Sequence, residues 1–118
     1  MSINIRYIAS ANECERIEFM ENWLTGSGVV YERRPGVLVS GYESLECYDR
    51  KKRIARFGYD LSTSEIGCFL AHRNCWVEAQ KQKAPTMILE SDMGFDSCHD
   101  LRVILDQLAA NIEYSDIV

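Results

Sequence analysis

The sequence predicts an α/β fold, a mostly parallel sheet flanked by helices, and three observations predict it. The run 86–89 is short and continuously apolar, as in strands covered on both faces. β-prone runs alternate with segments of helical periodicity, the order that builds parallel sheets. No repeat, low-complexity tract or Pro/Ser-rich linker interrupts that alternation, so residues 1–118 read as one domain.

The elements follow in order. Ile3, Ile5, Tyr7 and Ile8 predict an opening strand. Asn12 and Glu15 have capping-box spacing, and Ile17, Met20, Trp23 and Leu24 recur at helical intervals until Gly26 and Gly28 end the segment. β-branched runs at 29–31 and 37–39 predict strands about a turn at 33–36. A charged helix is expected over 44–57. Ser62 and Glu65 form a second capping box, with Leu61 and Ile66 at the positions of a hydrophobic staple. The helix they start carries Ile66, Phe69, Leu70, Trp76 and Val77 on one side. Cys68, Ala71, Cys75 and Ala79 lie on another, which predicts packing on two sides. Residues 81–85 break it before the strand at 86–89. Ser97 and Asp100 predict the start of a last helix striped by Leu101, Ile104, Leu105 and Leu108. Residues 115–118 read as a strand just beginning, so the domain is expected to be truncated.

The totals exclude several classes. A composition 47% hydrophobic and 26% charged builds a core rather than a disordered chain. The net charge of -5 excludes a general nucleic-acid binder, which gains its affinity from phosphate neutralisation. No apolar run approaches the roughly 20 residues that span a bilayer. Residues 1–8 lack the pattern of a secretory signal, which makes the cytoplasm the expected compartment. Five cysteines (Cys14, Cys47, Cys68, Cys75, Cys98) without C-x-x-C spacing predict neither a disulfide framework nor a zinc site. They read as small, mostly buried hydrophobes. Gly-rich phosphate loops are absent from the sequence.

Ligands of open α/β sheets gather outside the carboxyl ends of the strands, and two segments fit. Residues 9–12 leave the opening strand, where backbone N–H groups would face a phosphate or simply cap a turn. Glu90 and Asp92 follow the strand at 86–89. Two carboxylates there are costly to desolvate without compensation. A hard divalent cation shared with a diphosphate is one solution, and a solvated turn is the other. His72, within the two-sided helix, reads as a hydrogen-bonded core histidine or as a ligand. The basic stretch 50–56 reads as a solvated helix face or a surface for phosphates or anionic membrane.

Taken together, these segments resemble a family pattern. Residues 61–72, Leu-Ser-Thr-Ser-Glu-Ile-Gly-Cys-Phe-Leu-Ala-His, resemble the L-[ST]-x-G-E-I-G-C-x-x-S-H block of family 25 glycosyltransferases. Residues 88–92, Ile-Leu-Glu-Ser-Asp, resemble its I-L-E-D-D block. Tyr48-Asp49 before a basic stretch, Gly58, and Glu15-Arg16 after the opening strand are also similar. The resemblance implies a GT-A-like nucleotide-sugar-binding fold. It implies inverting transfer of a hexose, galactose first, from a UDP-sugar to a lipooligosaccharide or other glycan acceptor, assisted by Mn²⁺ or Mg²⁺. It places Glu90 and Asp92 at the metal and diphosphate, and Ser10 and Arg16 at the nucleotide end. Glu65 and His72 fall beside the site, with a helix cap as Glu65's other role. It places no catalytic base. Three departures stand out: Ser91 at the central acidic position, Ser64 and Ala71 for Gly and Ser, and an end before the family's acceptor half. Association with the inner face of the membrane and homo-oligomerisation are further expectations. The alternative is a catalytically inactive nucleotide-binding half-domain or an interaction module.

Overall fold

β1 (Asn4–Ile8) is the centre of a three-stranded parallel sheet of order β2-β1-β3. Its neighbours are β2 (Tyr31–Arg34) and β3 (Thr86–Glu90). The computed structural model describes residues 3–42, 45–92 and 101–112. Helices α1 (Cys14–Gly26), α2 (Arg50–Phe57), α3 (Thr63–Gln82) and α4 (Leu101–Asn111) complete the described elements. The α/β expectation holds, and every strand pair described is parallel.

Strand alternation sorts β1 between two layers. Ile5 and Tyr7 enter an apolar core with Met20 and Leu24 of α1, Leu89 of β3, and Leu101 and Leu105 of α4. Arg6 points to the other face, where Glu78 of α3 receives it at 3.1 Å. The sheet therefore lies between α1 and α4 on one side and α3 on the other. The register sets Ile8 level with Arg34 and Glu90, so all three strands end together.

α3 begins as predicted. Ser62 Oγ accepts from the Glu65 N–H at 3.1 Å, while Glu65 Oε1 accepts from the Ser62 N–H at 3.2 Å. Its end is a left-handed Lys83, φ 52°, just before β3.

Elsewhere the structure corrects the expectations. Glu13, not Asn12, occupies the N-cap position of α1, without a side-chain capping bond, and Asn12 lies in the preceding turn. β2 runs through Arg33 and Arg34, the residues read as a turn, and 37–39 is not a strand. The reason is tertiary: Arg34 pairs with Glu78 and Glu32, and Arg33 donates to the Ala9 carbonyl at 2.8 Å. The charged helix starts at Arg50, where Asp49 accepts from the Lys52 N–H at 3.1 Å. Its basic face is partly engaged, with Arg50 on Asp60 and Arg53 stacked over Phe57 and Tyr59. Among the described residues α3 packs on one side: Ile66, Ala71 and Cys75 are buried, while Phe69, Trp76 and Val77 are exposed. The predicted cap at Ser97 and Asp100 and the predicted strand at 115–118 lie outside the described residues.

Candidate functional site

The common end of the three strands opens into a cleft of about 590 Å³, a volume typical of small-molecule sites. The turn after β1 contributes Ser10, and the start of α1 contributes Glu13 and Arg16. The segment after β2 gives Gly36 and Val37, the first half of α3 gives Cys68 and His72, and the end of β3 gives Glu90, Ser91 and Asp92. A helix can approach the β2 exit this closely because Gly67 has no side chain: a Cβ there would lie 2.3 Å from the Val37 carbonyl oxygen. Substitution by alanine would push the α3 wall outward.

Five of the six residues singled out in the sequence, Ser10, Arg16, His72, Glu90 and Asp92, line this cleft. Glu65 does not, its carboxylate being engaged in the α3 capping box. Of the two roles open to the N–H groups of 9–12, a phosphate or the cap of a turn, the Ser10 N–H takes the second, donating to Glu13 Oε2 at 3.0 Å. The Ala9 N–H is likewise used, on the Arg34 carbonyl at 3.0 Å.

Sequence reasoning missed two residues. Glu13 holds the Ser10 turn, accepts from Ser91 Oγ at 3.4 Å and pairs with Arg16 at 3.5 Å. The signal was the Ser10-x-x-Glu13 spacing, which Asn12 and Glu15 masked. Ser91, at the centre of the acidic block, turns inward and is 7% exposed. An acidic side chain there would face Glu13. Cys68 is the second missed residue, and its class was misjudged: Cys14, Cys47 and Cys68 are exposed, leaving Cys75 as the buried cysteine among those described. Cys98 lies outside the described residues.

The electrostatics of the cleft are acidic. Glu13, Glu90 and Asp92 face Arg16 and His72. Desolvation, then the Glu90 carboxylate and more weakly Asp92, push the Cys68 thiol up from its ordinary value. Cys68 Sγ lies 3.7 Å from Glu90 Oε1, and His72 Nε2 lies 3.6 Å from the same oxygen.

The family model described as glycosyltransferase family 25 (LPS biosynthesis protein) matches residues 5–117. The chain belongs to glycosyltransferase family 25. No match was found among curated proteins. Family 25 membership supports a glycosyltransferase role in lipopolysaccharide biosynthesis, and with it a sugar donor and an acceptor. The three-stranded parallel sheet with its four helices is consistent with such a domain. Among the described residues of this family 25 chain, no helix is long and apolar enough to cross a membrane.

Proposed function

We propose that the cleft binds the diphosphate of a nucleotide-activated hexose, with UDP-galactose the first donor to try, for transfer to a glycan acceptor with inversion. The observation that carries this reading is the meeting of Glu90, Asp92, Arg16, Ser10 and His72 at the carboxyl ends of β1 and β3, where nucleotide ligands of α/β sheets sit. The GT-A character of the fold belongs to the same proposal.

The charge balance argues for a cation. Three carboxylates against Arg16 would repel a diphosphate taken alone. Glu90 and Asp92 fit a hard ion, Mn²⁺ or Mg²⁺, which is commonly held by one or two carboxylates together with substrate phosphates. When bound, such an ion supplies positive charge against the negative charge of the departing nucleotide. Arg16, tied to Glu13 at the mouth of α1, offers the diphosphate a second cation. In the transfer the acceptor oxygen bonds to the anomeric carbon, and the bond to the diphosphate oxygen breaks with its electron pair on UDP. The acceptor proton passes to a carboxylate base.

Calorimetric titration of UDP with and without Mn²⁺ tests the donor site. Binding is expected with Mn²⁺, and Asp92→Ala, which removes a ligand, is expected to weaken it by more than the about 10- to 100-fold that changes outside a ligand shell cost. No heat under either condition removes the donor-site reading, and unchanged binding in the variant makes the acidic pair structural.

A second reading, nucleotide binding without transfer in an interaction module, is favoured by one observation. Phe69, Trp76 and Val77 expose an apolar stretch of α3, the kind of surface that marks contact with a partner. Metal-dependent UDP binding without turnover of any UDP-hexose supports that reading over the first.

A further inference from the structure

We infer that Cys68, His72 and Glu90 form a three-ligand site for a borderline-soft divalent cation of the Zn²⁺ class, with its remaining position open to the cleft. Each of the three residues offers one ligand atom, and these atoms lie within 4.8 Å of one another. The backbone sets the site up in two ways. Cys68 and His72 are four apart on α3, which puts both side chains on one helix face. Glu90 is the last residue of β3 and comes to that face across the end of the sheet.

The tautomer of His72 is the second observation. Its Nδ1 lies 2.9 Å from the Cys68 backbone carbonyl. A carbonyl oxygen only accepts, so Nδ1 carries the proton and Nε2 holds the free lone pair. A histidine whose other nitrogen is tied to a carbonyl is oriented as metal-binding histidines are. Nε2 is also the nitrogen 3.6 Å from Glu90 Oε1.

The spacing fits the ion. Tetrahedral zinc with about 2.3 Å to sulfur, about 2.0–2.1 Å to nitrogen and about 2.0–2.2 Å to oxygen needs ligand separations of about 3.4–3.6 Å. The oxygen–nitrogen and oxygen–sulfur separations here are 3.6 and 3.7 Å. The sulfur–nitrogen pair is looser, the three ligand atoms lying within 4.8 Å of one another and Cys68 Sγ 3.8 Å from His72 Nδ1, so sulfur and imidazole would draw together around an ion. Sulfur decides the class, because thiolate and imidazole favour zinc-like ions while Mg²⁺ prefers oxygen alone. Three protein ligands with an open position is the arrangement of zinc sites that meet a substrate. No C-x-x-C pair is involved, which is why cysteine spacing predicted no zinc site. The ligation stands on this geometry alone. Glu90 is shared with the donor-site proposal, but no nucleotide is needed to test the cation.

The experiment is a Co²⁺ titration of the reduced, intact chain, followed by displacement with Zn²⁺. A thiolate-to-cobalt charge-transfer band that zinc abolishes is expected. Cys68→Ser should remove the band, and His72→Gln should weaken cobalt binding by more than the about 10- to 100-fold that changes outside the ligand shell cost. A Cys14→Ser/Cys47→Ser double variant should keep the band. Independently of any variant, Zn²⁺ should protect Cys68 of the natural chain from alkylation, read by peptide mass spectrometry. A cobalt spectrum without thiolate character, a band that survives Cys68→Ser, or equal alkylation with and without zinc overturns the site. Because these readouts contain no nucleotide, loss of UDP binding would leave this result standing, and the reverse holds as well.

Discussion

The face of the sheet beneath α1 and α4 is closed by hydrocarbon, whereas the face beneath α3 is closed largely by charge. Ile5, Tyr7, Met20, Leu24, Leu89 and Leu101 are each at most 3% exposed on the first. Polar closure on that side lies at its rim, where the Tyr7 and Tyr31 hydroxyls donate to Glu21 and Arg102 of α4 donates to the Gly28 carbonyl at 2.7 Å. On the second face, Arg6 and Arg34 from two adjacent strands converge on Glu78. Apolar burial is non-directional and says little about where along the sheet a helix sits. Forked guanidinium–carboxylate bonds are directional and do say so. Glu78 is six residues beyond His72, about 9 Å along the helix axis. The ionic clamp thus fixes the helix that carries Cys68 and His72 to the cleft, and the apolar face supplies the stability that lets it form.

The largest effect should come from the apolar face. Leu24→Ala, at a residue 0% exposed, is expected to cost about 2–5 kcal/mol, read by urea unfolding and nearly independent of pH and salt. Glu78→Gln should follow at about 3 kcal/mol, the low end for breaking a buried pair, because Arg6 keeps its charge while the Glu78 side chain is 27% exposed. The two differ in their pH signature. Hydrogen bonds from Arg34, then Arg6, hold the Glu78 carboxyl at about 2, below its ordinary 4.5. A carboxyl lowered on folding stabilises above its unfolded value and loses that contribution as the pH falls. The natural chain should therefore shed about 3 kcal/mol more than Glu78→Gln between about pH 5 and pH 2. Parallel pH profiles of the two proteins would dissolve the contrast between the faces. Glu78→Gln, but not Leu24→Ala, should also loosen the cobalt site, since the clamp bears directly on α3 whereas Leu24 lies on the opposite face of the sheet.

What could be read from the sequence was local, and what could not was held at long range. The capping box at Ser62 and Glu65 and the apolar strand β3 depend on neighbours within a few residues, and both formed where expected. β2 was misplaced because its pairing partner for Arg34 is Glu78, 44 positions away. The exposed side of α3 was read as packed because Phe69 and Trp76 suit a core. In the structure their rings meet each other edge-on at 6.0 Å instead. The placement of Ser10, Glu90 and Asp92 in one cleft was legible because all three lie at or just after strand ends, while Arg16, inside α1, was pointed to by the family resemblance alone. Cys68 was not, since a helical i,i+4 pair with a ligand from a distant strand leaves no cysteine spacing to find. Glu13 was hidden by an overlapping capping pattern two residues further on, Asn12 and Glu15, that the chain does not use.

The smallest predicted effect separates two roles for one residue. Glu65 belongs to the segment resembling the family block, which placed it beside the substrate, whereas its carboxylate accepts from the Ser62 N–H at the start of α3. Ser62→Ala removes the oxygen that accepts from the Glu65 N–H and should cost about 1 kcal/mol. Glu65→Gln preserves an acceptor for the Ser62 N–H, since glutamine serves at this position of a capping box. It should be nearly neutral in urea unfolding. Neither variant should change UDP or cobalt affinity, because both alterations stay within the helix cap outside the cleft. A Glu65→Gln protein of natural stability that bound UDP about tenfold more weakly, a loss of about 1.4 kcal/mol, would return Glu65 to the substrate. The cap would then be its second duty rather than its first.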